Sequence, residues 1–136
     1  EATFHLADSN SNFYNNIHLK VAVKTSSLTI EIISLYEDTH SHGAGFMDIQ
    51  VLGLPSKCPT PSTLDMSGLQ CYESSAKDGN STCREALDGY FYEANDWVTN
   101  TNAVGVGYPI PYILIEFPSV TLLYRIHLMD RAAKGK

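Results

Sequence analysis

Apolar and polar residues alternate at every second position in five segments of the chain, and this alternation constrains the fold more than any other feature. It is clearest at residues 17–23, Ile-His-Leu-Lys-Val-Ala-Val, and recurs at 28–35, 46–52, 112–117 and 122–129. A period of two places successive side chains on opposite faces of a strand. The segments are rich in β-branched and aromatic residues and bounded by Gly, Pro, Asn or Ser, as strands are. We therefore expect five separate strands, the fourth ending at Pro118, in an all-β sandwich or jelly roll with helices short or absent.

Length and charge limit the class of protein further. A chain of 136 residues suits one domain with a two-layer core, and the proline-containing stretch 55–68 is expected to be a connector within it. Nine Lys and Arg against 15 Asp and Glu argue against a nucleic-acid binder, which needs clustered cations. No apolar run approaches the roughly 18 residues of a membrane span. The sequence also lacks a nucleophile elbow, a phosphate loop or a Cys-His arrangement, so we expect no enzyme activity.

Two features favour an extracellular location. Asn80-Ser81-Thr82 is a glycosylation sequon, which makes Asn80 a candidate glycan acceptor. Cys58, Cys71 and Cys83 lie close together in polar sequence, where disulfides are more natural than buried thiols. Together they predict a secreted glycoprotein that contains a disulfide bond.

Several motifs occur together in this chain: Ala86-Leu87-Asp88-Gly89, Trp97 as a core residue, and the strands 112–117, 124–128, 28–32 and 45–53. They resemble the discoidin family, also called coagulation-factor type C domains, whose fold is a galactose-binding-like β-sandwich (jelly roll). The motifs of the family's N-terminal half here lie in residues 71–136, and those of its C-terminal half lie in residues 1–54. The resemblance therefore implies a circular permutation. The two halves would form one domain, 1–136, and residues 55–70 would connect them. Permutation is tolerated where chain termini lie close together. The alternative is strand exchange between two molecules, which leaves a homo-oligomer open.

The resemblance also implies a disulfide pairing. Family members often tie their first and last strands together, which here implies Cys58–Cys71 and leaves Cys83 free or bonded to another chain. The rival pairing, Cys71–Cys83, has nearly the same separation in sequence.

A structural Ca²⁺ is a further implication of the resemblance, since many relatives hold one at the Asp-Gly turn. The matching ligands are Asp88, Asp48, the backbone carbonyls of Glu85 and Tyr90, and Asn95. Such a set of oxygens suits calcium, which takes six to eight of them. Alternatively, Asp88 caps its own turn and Asp48 is a surface residue on a strand.

By the same resemblance, the protein is a non-catalytic, lectin-like carbohydrate-binding or cell-adhesion module whose partner is a glycan or cell-surface glycoprotein. The implied donors to sugar hydroxyls are Arg131 and Asn100 or Asn102, because guanidinium and amide groups offer paired donors. Aromatic candidates for the sugar face are Tyr90, Tyr92 and Tyr108. Arg131 could instead brace the rim. The other function left open is a protein- or phospholipid-binding adhesion module without sugar specificity.

Overall fold

The computed structural model describes residues 14–33, 45–55, 62–76, 78–89, 96–99 and 109–130, and the fold below is that of these residues. Their one helical element is a 3-10 helix at Glu85–Leu87, and none of their helices is long and apolar enough to cross a membrane. The expected all-β class is confirmed for this part of the chain. The strands are β1 (Tyr14–Glu31), β2 (Gly45–Pro55), β3 (Ser62–Thr63), β4 (Gln70–Glu73), β5 (Trp97–Val98) and β6 (Tyr112–Asp130).

Strand β6 is the centre of the antiparallel arrangement. One of its edges pairs with β1 from Tyr112 to Met129. Its other edge is shared: β4 pairs with the first part of β6, and β2 pairs with the second part, from Thr121 to Asp130. The two-residue strands β3 and β5 both pair with β2, so the connector expected at 55–70 includes a short strand.

Two long strands replace four of the predicted short ones, so the expected break between 17–23 and 28–35 and the strand end at Pro118 are both wrong. Strand β1 runs through the break and β6 runs through Pro118. The reason is a β-bulge. Thr25 pairs with Thr121 and Ser27 pairs with Glu116, so two steps along β1 correspond to five steps along β6. Pro118 lies in this unpaired stretch, where its missing N–H costs no ladder hydrogen bond.

Inward-facing residues of β2 and β6 form the core together with Trp97. The Trp97 side chain is fully buried (0 % exposed), which confirms the expectation that it is a core residue. Its ring stacks on Phe46 with a centroid separation of 6.0 Å, and its Nε1–H donates to the Ser75 carbonyl at 2.9 Å. Other members of the core are Ile49, Val51, Ile113, Ile115, Leu123, Ile126 and Leu128.

Close backbone approach explains the glycine at the start of β2. A Cβ added to Gly45 would overlap the Trp97 carbonyl oxygen, so a side chain at this position would separate β2 from β5. The register pairs Gly45 with Val98 and Phe46 with Trp97. This contact holds the Trp97 segment against the sheet.

Candidate functional site

Three strand ends meet at one end of the sheet, which we call the Phe46 end. Phe46 pairs with Asp130, the last residue of β6, and also with Trp97 of β5, while Gly45 pairs with Val98. Phe46, Trp97 and Val98 are buried, so the backbone at this end is fixed by packing. Segments that leave the sheet here start from neighbouring, well-anchored positions.

The residues predicted to contact sugar lie outside the described residues: Arg131, Asn100, Asn102, Tyr90, Tyr92 and Tyr108. The described chain nevertheless fixes the points from which several of them extend. Arg131 directly follows Asp130, and Asn100 directly follows Thr99, which is buried next to β5. Both points belong to the Phe46 end, and the two predicted donors directly follow residues in or next to the two strands that pair with β2 there, β6 and β5.

The Asp-Gly turn is formed as the sequence motif predicts. Asp88 follows the 3-10 helix with φ −83° and ψ −10°, and Gly89 has φ +80°, a left-handed conformation that favours glycine. Ala86 and Leu87 are buried, and the helix packs against β2. The turn is thereby held beside the strand that carries Asp48.

Glu85 lies near two other carboxylates, those of Asp88 and Glu73, at this turn. The pKa of Glu85 is raised, first by partial burial and next by the negative charge of Asp88, with a smaller contribution from Glu73. A hydrogen bond from the Thr82 side chain and the charge of Arg84 oppose the rise in this pKa. The net electrostatic environment of Glu85 therefore disfavours its carboxylate form.

Asp48 is buried, with 1 % of its surface exposed, so the alternative that it is a surface residue is wrong. The Gln50 Nε2 group donates to its Oδ2 at 3.2 Å, which places both side chains on the face of β2 opposite Ile49 and Val51. A buried carboxylate needs polar or cationic partners, and a bound cation is one way to supply them.

The carboxylates expected at a calcium site do not form a compact cluster on their own. Among the residues that the structure describes, one group of three potential ligand atoms from His, Cys, Asp or Glu lies within 4.8 Å, and it consists of Cys71, Glu73 and Cys83. Its two sulfurs form a disulfide, so they are not metal ligands. The implied ligands Tyr90 and Asn95 lie outside the described residues.

The predicted Cys58–Cys71 disulfide is wrong, because Cys71 pairs with Cys83 at a Cα–Cα distance of 6.2 Å. Cys71 lies opposite Ile115 in the β4–β6 pairing, and the Cys83 backbone N–H donates to Glu73 Oε2 at 3.3 Å. This hydrogen bond holds the Cys83 turn against β4. The argument that a disulfide ties the joined termini therefore loses its support, and Cys58 lies outside the described residues.

Asn80 is exposed in a turn ahead of Cys83. The Asp78 side chain accepts a hydrogen bond from the Asn80 backbone N–H at 2.9 Å, and the Asp78 carbonyl accepts one from Ser81 N–H at 3.2 Å. These bonds close an Asx turn that leaves the Asn80 side chain in solvent. The position suits a glycan acceptor.

Two surface features were missed by the sequence reasoning, and both depend on strand register. His18, Arg125 and His127 share the outer face of the β1–β6 pairing, because His18 is paired with Arg125 and Arg125 lies two residues from His127. At the other end of β6, Tyr72 and Tyr112 are 49 % and 39 % exposed and share the outer face around Leu114, which pairs with Tyr72. Alternation indicates which residues share a face within a strand, but not which residues lie opposite on the neighbouring strand.

Comparisons with family models, with curated proteins and with solved structures find no match to this chain. The resemblance to the discoidin family therefore remains a prediction from the motifs.

Proposed function

We propose that the protein is a secreted, non-catalytic β-sandwich module that binds glycan through loops at the Phe46 end of the sheet. The observation that carries the proposal is the register that joins Phe46 to both Asp130 and Trp97. Asp130 and Trp97 are on the two strands that pair with the start of β2, and the segments that contain Arg131 and Asn100 follow them in the sequence. A rigid end from which polar loops extend is a common arrangement for binding on a β-scaffold.

The long strand β6 supports the two-layer part of the proposal. Its first part pairs with β4 and its second part with β2, and the two parts are separated by the unpaired stretch around Pro118. A bulge bends a strand and increases its twist, which lets one strand serve two layers. The Cys71–Cys83 bond and the exposed sequon at Asn80 support secretion, since disulfides persist in oxidising compartments.

Arg131 provides the test of the glycan site. Arg131→Ala removes a charge-assisted contact of roughly 1.5–3 kcal/mol, so we expect glycan affinity to fall about ten- to hundredfold with little change in melting temperature. Arg131→Lys should restore little, because an ammonium lacks the planar fork of donors. Arg84→Ala, which removes an exposed cation beside the 3-10 helix, is the matched control and should bind as the wild type.

The opposite pattern would remove Arg131 from the site. If Arg131 only braces the rim, Arg131→Ala lowers the melting temperature while the folded fraction binds glycan normally. Binding should be measured with a multivalent display, because a single site built on a few polar contacts is weak.

A structural Ca²⁺ held by Asp88, Asp48 and neighbouring carbonyls is part of the same proposal. Two observations support it: the 3-10 helix that leads into the Asp-Gly turn packs against the strand that carries Asp48, and the pKa of Glu85 is raised first by partial burial and next by repulsion from Asp88. A bound cation would offset both this repulsion and the burial of Asp48.

Chelation tests the calcium site directly. Starting from metal-loaded protein, a chelator should lower the melting temperature, because a ligand bound only by the folded state stabilises it. Asp88→Ala should abolish this response, while Asp78→Ala, in a neighbouring turn, should keep it. An unchanged melting curve of the loaded wild type in chelator would contradict a calcium site.

A protein-binding adhesion module is the second candidate, and an exposed apolar patch favours it. Ile33, Ile110, Tyr72 and Tyr112 are all exposed at the end of the sheet where β1 ends and β6 begins. Clustered exposed apolar residues often mark interaction surfaces. Loss of cell-surface binding in Tyr72→Ser, with glycan-array signals unchanged, would favour this function; retained binding would argue against it.

A further inference from the structure

Charge is segregated along the β1–β6 pairing. Residues 16–24 of β1 and 121–129 of β6 contain no Asp or Glu, although the chain as a whole has 15 acidic residues and 9 Lys and Arg. Among the described residues there are four Lys and Arg, and three of them, Lys20, Lys24 and Arg125, belong to these two segments. The cations are therefore concentrated where the acidic residues are absent.

Three cationic or protonatable side chains, those of His18, Arg125 and His127, occupy one corner of this surface. His18 is opposite Arg125, and Asn16 is opposite His127, so all four share the outer face. Directly opposite side chains in an antiparallel pair have Cβ atoms about 4.5–5.5 Å apart. His18 and Arg125 are exposed, whereas His127 is partly buried between the neighbouring strands.

Strand β2 completes the surroundings of His127 on its other side. Gln50 is opposite His127, and Asp48 is opposite Met129 one step further along the same face. The Asp48 carboxylate is buried and accepts a hydrogen bond from Gln50. It is the one carboxylate that β2 presents on this face in the described part of the chain.

The surroundings of His127 disfavour its protonation. Its pKa is lowered, mainly by burial, and next by the positive charges of Arg125 and His18. Like charges on directly opposite positions destabilise a sheet. An anion bound on this face would offset the positive charge beside His127 and favour the protonated form of His127.

We propose that the face formed by Asn16, His18, Arg125, His127 and Gln50 binds the sulfate or carboxylate groups of an acidic saccharide chain. Arg125 supplies the permanent charge and a planar fork suited to oxyanions. Asn16 and Gln50 offer amide donors on either side, and the two imidazoles offer further N–H donors. The acidic turn around Glu85 does not preclude such a ligand, because salt at physiological strength screens exposed charges beyond about 8 Å.

This face is separate from the loop site at the Phe46 end. Arg125 precedes Asp130 by five residues, which corresponds to about 17 Å along an extended strand. The inference therefore stands or falls independently of Arg131 and the loop site.

A heparin-derived hexasaccharide is the probe, and its desulfated, carboxyl-reduced counterpart is the neutral control. We expect the wild-type protein to bind the sulfated probe at least tenfold more tightly at pH 5.5 than at pH 7.5. The reason is that His127 gains a proton as the pH falls, and the bound anion raises its pKa; the imidazole NMR signals of His127 should show this shift. The neutral counterpart should not bind this face at either pH.

Arg125→Gln should weaken binding of the sulfated probe at least tenfold at both pH values. The matched variant Arg84→Gln removes an exposed cation far from this face in sequence and should leave the affinity unchanged. Equal losses in the two variants would show that binding depends only on net charge and would overturn the site. No binding at pH 5.5, or a His127 pKa that the probe leaves unmoved, would overturn it too.

Two further measurements distinguish a saccharide site from a simple anion site, and this face from the loop site. Inorganic sulfate at the same sulfate concentration should bind more weakly than the hexasaccharide, and equal binding would overturn the assignment to a saccharide chain. Neutral glycans recognised through the loop site should lose affinity in Arg131→Ala and keep it in Arg125→Gln. Failure of the loop site and failure of the cationic face therefore give different results.

Discussion

Removal of the Cys71–Cys83 bond should destabilise the protein by a predictable amount. The bond closes a loop of 12 residues in sequence separation. In the chain-entropy model this constraint on the unfolded state is worth about 3 kcal/mol at 25 °C. Cys83 is only 2 % exposed, so alanine, which introduces no buried polar group, is the suitable replacement at both positions.

The expected change in melting temperature follows from the size of the protein. An unfolding entropy of about 2.1 cal/mol/K per residue amounts to about 290 cal/mol/K for 136 residues. A loss of about 3 kcal/mol then lowers the melting temperature by about 10 °C. Calorimetry of Cys71→Ala/Cys83→Ala against the wild type measures this difference, and reductant should bring the wild type down to the same value.

Cys58 provides the control that separates the two pairings. Cys58→Ala should leave the melting temperature unchanged, and non-reducing peptide mapping should recover a peptide that joins Cys71 to Cys83. A drop of about 10 °C in Cys58→Ala, with a Cys58–Cys71 peptide in the map, would refute this account of the disulfide.

Three further predictions test the turn, the start of β2 and the sequon. Gly45→Ala should cost about 3 kcal/mol or more, because its Cβ would overlap the Trp97 carbonyl, whereas Gly79→Ala, with open space around its Cβ, should be neutral; denaturant unfolding compares them. In metal-free buffer Glu85→Gln should stabilise the protein at pH 7 by less than about 1 kcal/mol. Because the folded-state pKa of Glu85 is raised above 4.5, the wild type loses stability as pH rises from 4.5 through that pKa, and the variant should lack this loss in pH-dependent unfolding. Protein expressed through a eukaryotic secretory pathway should lose mass on enzymatic deglycosylation, and Asn80→Gln should not.

Strand positions were predictable because burial of one face imposes a period of two. Every alternating segment has a part that lies in β1, β2 or β6. The joins between segments were not predictable, because a bulge such as that at Thr25 and Ser27 changes the register without interrupting the strand. Thr25 closes this irregularity locally, donating to the Ser27 carbonyl and accepting from Ser27 N–H, and any turn could use the same residues.

Contacts between residues that are distant in sequence were also hard to predict, because they depend on register. Cys71 has two possible disulfide partners, Cys58 and Cys83, at almost equal separation in sequence, so loop entropy does not distinguish them. The hydrogen bond from Cys83 N–H to Glu73 favours Cys83, because it holds Cys83 against the strand that contains Cys71. The cationic face of His18 and Arg125 likewise exists only through cross-strand register. By contrast, the Asp88-Gly89 turn is a local motif, and its left-handed glycine was predictable from the residue types.

The most direct test of glycan binding at the Phe46 end is an unbiased glycan-array screen of the wild type and Arg131→Ala, each with and without chelator. The account predicts a defined set of wild-type signals that Arg131→Ala loses and that chelator weakens. Signals that survive Arg131→Ala in full would place binding elsewhere on the molecule. An empty array from folded, multivalent wild-type protein would contradict the proposed glycan-binding function.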